Sequence, residues 1–224
     1  MIDDKSIEET AKTVRQYLDP ILLRPLSELG LLAKDQISHW RFKNQVRMLQ
    51  KSKKILESSG VDTSTLKKSI TPDLIIPLIE SSGDSADEDL SDMFSSLLVS
   101  AIDPKTSDNS HPSFAKVLGQ LSPLDARILK SLFSFVGKIE QDVKNGIVIP
   151  NLDLKFPVHR QCMSNMDEVA REFSLSNNQV LVIFQNLRRL GICDQGLDFM
   201  NVMNRKEVLS LTDYGYSLCS LCIR

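Results

Sequence analysis

The chain has 224 residues, of which 42% are hydrophobic and 25% are charged, and its formal net charge is −2. A chain of this length buries enough apolar surface to fold without disulfides or metals. The composition excludes a disordered or fibrous protein, and the near-neutral charge predicts no general attraction to nucleic acid or anionic lipid. No stretch approaches the about 20 apolar residues that cross a bilayer, and the first residues lack a secretory signal pattern. We therefore expect a soluble, cytoplasmic protein without a transmembrane segment.

The cysteines lie in apolar segments, which is typical of reduced thiols in a protein core. There are four of them: Cys162, Cys193, Cys219 and Cys222. Cys219 and Cys222 have a Cys-x-x-Cys spacing, but a zinc site needs two further ligands and this pair closes an apolar helical segment. We interpret the pair as core packing and predict neither a metal nor a cofactor.

The first half of the chain has the pattern of a helical domain, which we place at residues 1–118. Residues 6–18 are predicted as a helix, and residues 35–57 contain no strong breaker, which favours a long helix. The sequence at 71–73, Thr-Pro-Asp, is typical of a helix start. Ser85 and Glu88 have capping-box spacing, and apolar residues follow at helical intervals.

The second half, residues 119–224, begins with a helix predicted from Pro123 to about Val136. An apolar run at 147–149 could form a strand. Two short helices are then predicted, near 167–173 and 176–190, and Ser176 and Gln179 have capping-box spacing at the start of the second. Their connection of about three residues gives the outline of a helix-turn-helix.

The last segment completes the pattern of a winged helix. Residues 192–211 are predicted as a two-stranded wing around Gly196 and Asn204, with residues 208–211 as the returning strand. Thr212 then caps a final helix. The predicted fold class is mostly α, with an N-terminal helical domain followed by a C-terminal winged helix-turn-helix that carries a short β-hairpin wing.

The second helix of the helix-turn-helix has one apolar and one polar side. Placing Val180, Ile183, Phe184 and Leu187 inward at helical spacing directs four residues outward: Asn178, Val182, Gln185 and Arg189. Such side chains can contact base edges. However, residues 160–224 carry seven basic and seven acidic residues, whereas neutralisation of phosphate supplies most of the affinity for DNA. We therefore favour a winged helix that docks a protein partner or is purely structural, and we keep nucleic acid as an alternative.

A basic stripe lies on the long helix predicted at 35–57. Residues 41–54 hold six basic residues and no acidic one, and four of these lie along one side: Lys43, Arg47, Lys51 and Lys54. The basic stripe could bind phosphate of a nucleic acid or a lipid surface. Alternatively it is a solvated face, or it pairs with residues 80–92, which hold six acidic residues and no basic one. We favour a solvated face or this intramolecular pairing over a ligand site. The neighbouring Trp40 and Phe42 are predicted to lie in the core.

We predict no catalytic site. His39, His111 and His159 have no carboxylate, cysteine or histidine partner at ligand spacing, and we interpret each as a surface or structural histidine. A glycine-rich phosphate loop, a serine nucleophile elbow and a zinc-protease motif are not found in the sequence. We therefore expect a protein that is not an enzyme.

Several short segments together resemble the Abi-alpha family of bacterial proteins, which is named for abortive infection. They occur in order from Tyr17 into the winged helix, at 17–30, 40–41, 88–98, 111–114, 121–126 and 211–215. In one departure, the family tends to carry Trp and small residues before a Leu-Leu pair, where this chain has Phe94-Ser95-Ser96.

The resemblance implies a role in defence against phage, and it supplies no catalytic residue to carry over. The leading hypothesis is a non-enzymatic defence protein that acts by binding a protein or another macromolecule, with homo-oligomers possible. The alternative is a DNA-binding transcription regulator that uses Asn178, Gln185 and Arg189. Peripheral attachment to a membrane through the basic stripe is a third, less favoured hypothesis.

Overall fold

The computed structural model describes residues 36–59, 72–150, 152–162, 164–195 and 208–223. The helix predicted at 6–18 and the tip of the predicted wing, around Gly196 and Asn204, lie outside the described residues. Within them, the chain is mostly helical and has a small three-stranded sheet. The chain divides into two compact units, Met1–Pro123 with Leu221–Arg224, and Leu124–Ser220.

The first unit is helical in its described residues. It contains α1 (Gln36–Ser59), α2 (Pro72–Gly83), α3 (Glu88–Ile102), a 3₁₀ turn (Ser107–Asn109) and α4 (Ser113–Leu118). The long helix predicted at 35–57 is confirmed as α1, and it packs against α2 and α3. Met48, Leu78, Phe94 and Leu97 are almost fully buried and form part of this unit's core. Their burial holds the helices together through the hydrophobic effect.

The start of α3 differs from the prediction. Asp87 is the N-cap, and its carboxylate accepts a hydrogen bond from the Leu90 backbone N–H at 3.1 Å. The Ser85 hydroxyl instead accepts from the Asp87 N–H at 3.3 Å, so the predicted capping box of Ser85 and Glu88 is wrong. An ionised Asp is a strong cap because it also faces the positive end of the helix dipole.

The second unit contains the long helix α5 (Pro123–Lys144) and the short helix α6 (Val158–Gln161). Helix α5 continues well past the end predicted near Val136, through the exposed Gly137. The strand predicted at 147–149 is wrong, because this run is a loop that pairs with no strand in the described part of the chain. The side chain of Val148 in this run is 88% exposed, whereas a side chain on the buried face of a sheet is covered.

Two helices and three strands complete this unit. They are β1 (Ser164–Asn165), α7 (Met166–Phe173), α8 (Asn177–Arg189), β2 (Cys193–Gln195) and β3 (Val208–Leu211), and α9 (Asp213–Cys222) follows. The sheet order is β1-β3-β2, with both pairings antiparallel. The returning strand predicted at 208–211 is confirmed as β3, which is buried along its whole length. Strand β1 was not predicted, since two residues carry no periodic pattern.

The connection between α7 and α8 is tight. Ser174 takes a left-handed conformation with φ of 54°, and the Leu175 N–H donates to the Ala170 carbonyl at 2.8 Å. Ser176 then starts α8 with the predicted capping box, because its hydroxyl accepts from the Gln179 N–H and the Gln179 side chain accepts from the Ser176 N–H. These two caps fix the direction in which α8 leaves the turn.

Candidate interaction surfaces

The outward face of α8 is formed by the four residues that the helical pattern selects. Asn178, Val182, Gln185 and Arg189 are all exposed, and the Val182 side chain is 64% exposed. On the other side of the helix Val180, Ile183, Phe184 and Leu187 are buried, as predicted. The face is therefore a row of polar side chains with one apolar side chain in the middle.

Side-chain hydrogen bonds hold α8 in place. The Asn186 side-chain amide donates to the Asp125 carboxylate of α5 at 2.8 Å, and the Arg189 guanidinium donates to the side-chain amide oxygen of Asn186 at 2.9 Å. Because Asn186 bonds to α5 and to Arg189 at once, it links the position of the guanidinium to the long helix. The Arg189 side chain is therefore held in a defined position at the C-terminal end of α8.

The charges of α7 and α8 balance. Residues 166–189 carry three arginines and three carboxylates. One of the acids, Glu172, accepts a hydrogen bond from the Ser131 hydroxyl of α5 at 2.7 Å. A helix pair with no net charge does not supply the phosphate neutralisation on which binding to DNA depends.

The basic stripe on α1 lies beside the acidic residues at the α2–α3 connection. Lys51 lies 2.6 Å from both the Glu88 and the Asp92 carboxylates, and the Arg47 guanidinium donates to the Ala86 carbonyl at 3.0 Å. The hydrogen bond from Lys51 lowers the pKa of Glu88. Arg41, which precedes the stripe, is bonded to both oxygens of Asp84, at 2.5 and 2.8 Å.

The pairing that we favoured for this region is therefore present at Arg41 and Lys51. Lys54 is exposed and Lys43 is half-buried, so these two members of the stripe retain some access to solvent. The prediction that Trp40 and Phe42 lie in the core is wrong, because their side chains are 43% and 42% exposed. Their neighbours Asn44 and Gln45 are the buried ones, and their amides bond to backbone carbonyls of α2.

Sequence reasoning missed a polar cluster around Asp213, in the first turn of α9. His159 Nε2 lies 2.8 Å from one carboxylate oxygen of Asp213, and since a carboxylate only accepts, the imidazole donates. The Arg160 guanidinium also bonds to both oxygens of Asp213. The His159 ring stacks on Tyr216 at 4.3 Å, and the Tyr216 hydroxyl donates to Glu140 of α5 at 2.9 Å.

The cluster fastens α9 to α5 and α6. The hydrogen bonds from Arg160 and His159 lower the pKa of Asp213 to about 2, so this carboxylate stays ionised under ordinary conditions. Burial and the bonded Glu140 raise the pKa of Tyr216. No carboxylate lies at ligand spacing from His159, because its partner Asp213 is 54 residues away along the chain, and this contact agrees with the interpretation of His159 as a structural histidine. Spacing within one segment could not have identified it.

The four cysteines are buried and form no disulfide, as expected of core thiols. Burial raises the pKa of Cys162 to about 11, and it also raises the pKa of Cys193 and Cys222. These thiols are therefore protonated at neutral pH and are poor nucleophiles. Among the described residues, no group of three His, Cys, Asp or Glu side chains could hold a metal ion. In the same residues, no helix is long and apolar enough to span a membrane.

Comparison with known proteins relates the chain to one family. No curated protein and no solved structure matches it. The family model described as abortive infection alpha matches residues 43–222, which cover most of the chain. The chain therefore belongs to the abortive infection alpha family.

Proposed function

We propose that this chain is a phage-defence protein of the abortive-infection type, which acts without catalysis by binding a protein partner in the cytoplasm. Membership of the family suggests an abortive-infection function. The observation that carries the binding role is the outward face of α8, where Val182 is 64% exposed between Asn178, Gln185 and Arg189.

A winged helix is the arrangement that we propose for the second unit. Helix α5, strand β1, helices α7 and α8, and strands β2 and β3 follow one another in this order, and β3 lies between β1 and β2. In DNA-binding helix-turn-helix domains the second helix is the one that lies in the major groove. Helix α8 is that second helix here.

Two features support a protein partner over DNA. Protein interfaces combine an apolar centre with a polar rim, and Val182 with its polar neighbours has this composition. In addition, three arginines balance three carboxylates over residues 166–189, so the helix pair carries no surplus of positive charge for phosphate. The expected partner therefore offers a small apolar depression surrounded by hydrogen-bonding groups.

The proposal that the chain is not an enzyme rests on the states of its reactive side chains. The Cys162, Cys193 and Cys222 thiols are held protonated by burial. His159 is buried, with Nε2 bonded to Asp213 and its ring stacked on Tyr216. These contacts give the imidazole a structural role, because both partners belong to the first turn of α9.

The experiment is expression of the chain in a phage-sensitive bacterial host, followed by challenge with a broad phage panel. We expect lower plaque counts for at least one phage, and loss of this protection in Val182→Asp. Asn177→Asp is the matched control, because it adds the same single negative charge at an exposed position of α8 that lies away from the outward face. Unchanged plaque counts and cell survival across the panel for the wild-type chain would refute the defence role.

The alternative is a DNA-binding regulator, and the exposure of Asn178, Gln185 and Arg189 on α8 favours it. It requires retention on DNA at low salt that weakens steeply as salt is added. Arg189→Ala would then cost about 1–3 kcal/mol of specificity. If electrophoretic mobility shifts show no complex at low salt, this alternative is eliminated and the protein-docking proposal is unaffected.

A further inference from the structure

Exposed apolar side chains concentrate in the loop that joins α5 to α6, residues 145–157. Ile147, Val148, Leu154 and Phe156 are 51%, 88%, 70% and 62% exposed. These four are half of the large apolar side chains that are exposed in the described part of the chain. Single exposed apolar residues are ordinary, whereas several within one short loop provide apolar area that a partner can cover.

Hydrogen bonds hold the second part of this loop in one conformation. The Gln161 side chain accepts from the Asp153 N–H at 2.8 Å and donates to the carbonyls of Asp153 and Phe156 at 2.7 and 2.9 Å. The Asp153 carboxylate accepts from the Lys155 N–H at 3.0 Å. The exposure of Leu154 and Phe156 is therefore built into a fixed turn, and a preorganised surface loses little entropy on binding.

The first part of the loop is fixed by the end of α5. Gly146 has φ of +79°, and the Ile147 N–H donates to the Asp142 carbonyl at 3.0 Å. This is a hydrogen-bonded helix end of the left-handed type. Val148, two residues after Gly146, is almost fully exposed.

The charges around the loop indicate what covers it. Asp142, Lys144, Asp153 and Lys155 provide two negative and two positive charges, so an anionic bilayer or a nucleic acid gains no net attraction. A surface with both signs is complementary to itself. In a twofold contact, an acid of one copy can face a lysine of the other while the apolar side chains meet.

We propose that the α5–α6 loop forms a twofold contact between two copies of this chain, with Val148, Leu154 and Phe156 as its apolar centre. The contact uses no residue of the α8 face, so it goes beyond the proposed function and does not depend on it. Because one loop provides a contact near the lower limit of specific interfaces, the dimer is weak, with a Kd of roughly micromolar order.

The test is sedimentation velocity of the full chain over a concentration range that spans the micromolar region. The wild-type chain is expected to change from monomer to dimer, and Val148→Asp combined with Phe156→Asp is expected to raise the Kd at least about tenfold. The matched control is Trp40→Asp combined with Phe42→Asp, which changes two exposed apolar side chains of α1 in the same way. Circular dichroism checks that each variant is folded.

A second measurement uses only a mild substitution. The four native cysteines are buried, so Leu154→Cys adds one accessible thiol, and a short bismaleimide is expected to yield covalent dimers. The proposal is overturned if the wild-type chain stays monomeric throughout, if the α1 control weakens the dimer as much as the loop variant, or if the cross-linker gives only monomer. A monomeric chain that binds anionic vesicles through this loop would also overturn it, in favour of a membrane contact.

Discussion

The basic stripe of α1 and the outward face of α8 are both rows of polar side chains on amphipathic helices, yet they have different surroundings. Lys51 of α1 lies 2.6 Å from each of two carboxylates, Glu88 and Asp92. On α8, Val182 and Gln185 remain exposed to solvent. The basic stripe is thus engaged by acids of its own unit, whereas the outward face of α8 remains accessible to a partner.

The difference shows that charge alone is a poor guide to a binding surface. The stripe has the higher density of charge, with six basic residues in 41–54, but the α2–α3 connection brings acids beside it. The α8 face has one cation, Arg189, and the helix pair of α7 and α8 carries no net charge. A polar row becomes a candidate site only where its tertiary neighbours leave it exposed, and each of the following variants tests part of this contrast.

The largest effect is expected on the inward side of α8. Phe184 is 1% exposed, and Phe184→Ala should reduce the free energy of unfolding by about 3–5 kcal/mol because it leaves a cavity. Val182→Ala on the outward face should change it by about 0.5 kcal/mol or less. Urea denaturation of both variants provides the measurement, and equal losses would show that the two sides of α8 are wrongly assigned.

A smaller effect is expected at the start of α8. Ser176→Ala removes the capping box that orients the helix, and it should cost about 0.5–2 kcal/mol of stability. Ser134→Ala, at an exposed position within α5, is the control and should cost nothing, because alanine has the higher helix propensity. Thermal unfolding compares the two, and a loss at Ser134 as large as at Ser176 would count against the capping role.

The ion pairs of the basic stripe should contribute still less. Glu88 and Asp92 are well exposed, and exposed pairs contribute only about 0–1 kcal/mol. We expect Lys51→Met to reduce stability by about 1 kcal/mol or less, with the loss shrinking as salt is added. Lys54→Met is the control. Urea denaturation at low and high salt would reject the pairing account if Lys51→Met showed no loss at either ionic strength.

The smallest expected effect concerns Asp213, whose side chain is exposed and therefore screened by solvent. Its pKa is lowered from 3.8 to about 2 in the folded chain. A carboxyl group with a depressed pKa stabilises the fold above its unfolded pKa, and this contribution disappears as the pH falls. We expect Asp213→Asn to lose less stability than the wild type between about pH 4 and pH 2, as measured by urea midpoints. Identical pH profiles would contradict the pairing with Arg160 and His159.

Local signals in the sequence account for most of the helices. The absence of breakers over 35–57 predicted α1, and the Ser176–Gln179 spacing predicted the start of α8, because caps and helix propensity act over a few residues. The same local rules failed at Ser85, because Asp87 and not Ser85 is the N-cap of α3. They also failed at 147–149, because an apolar run becomes a strand only when another strand lies beside it.

The outward residues of α8 could be predicted for the same reason. Once Val180 and Phe184 are assigned to the core, the 100° rotation per residue fixes where Asn178 and Arg189 point. The cluster around Asp213 could not be predicted, because His159, Asp213 and Glu140 come from three helices. No spacing along the chain predicts that these three side chains lie close together.

The sequence by itself therefore determined where most of the longer helices lie, which side of α8 is buried and which residues that helix presents, since these follow from short-range periodicity and capping. Only the tertiary structure decided that Lys51 is engaged by Glu88 and Asp92, that Asp213 joins His159 and Arg160, and that Val148 and Phe156 remain exposed in a fixed loop. These outcomes depend on which segments become neighbours. That is decided by burial of apolar surface over the whole fold, and not by any single stretch of residues.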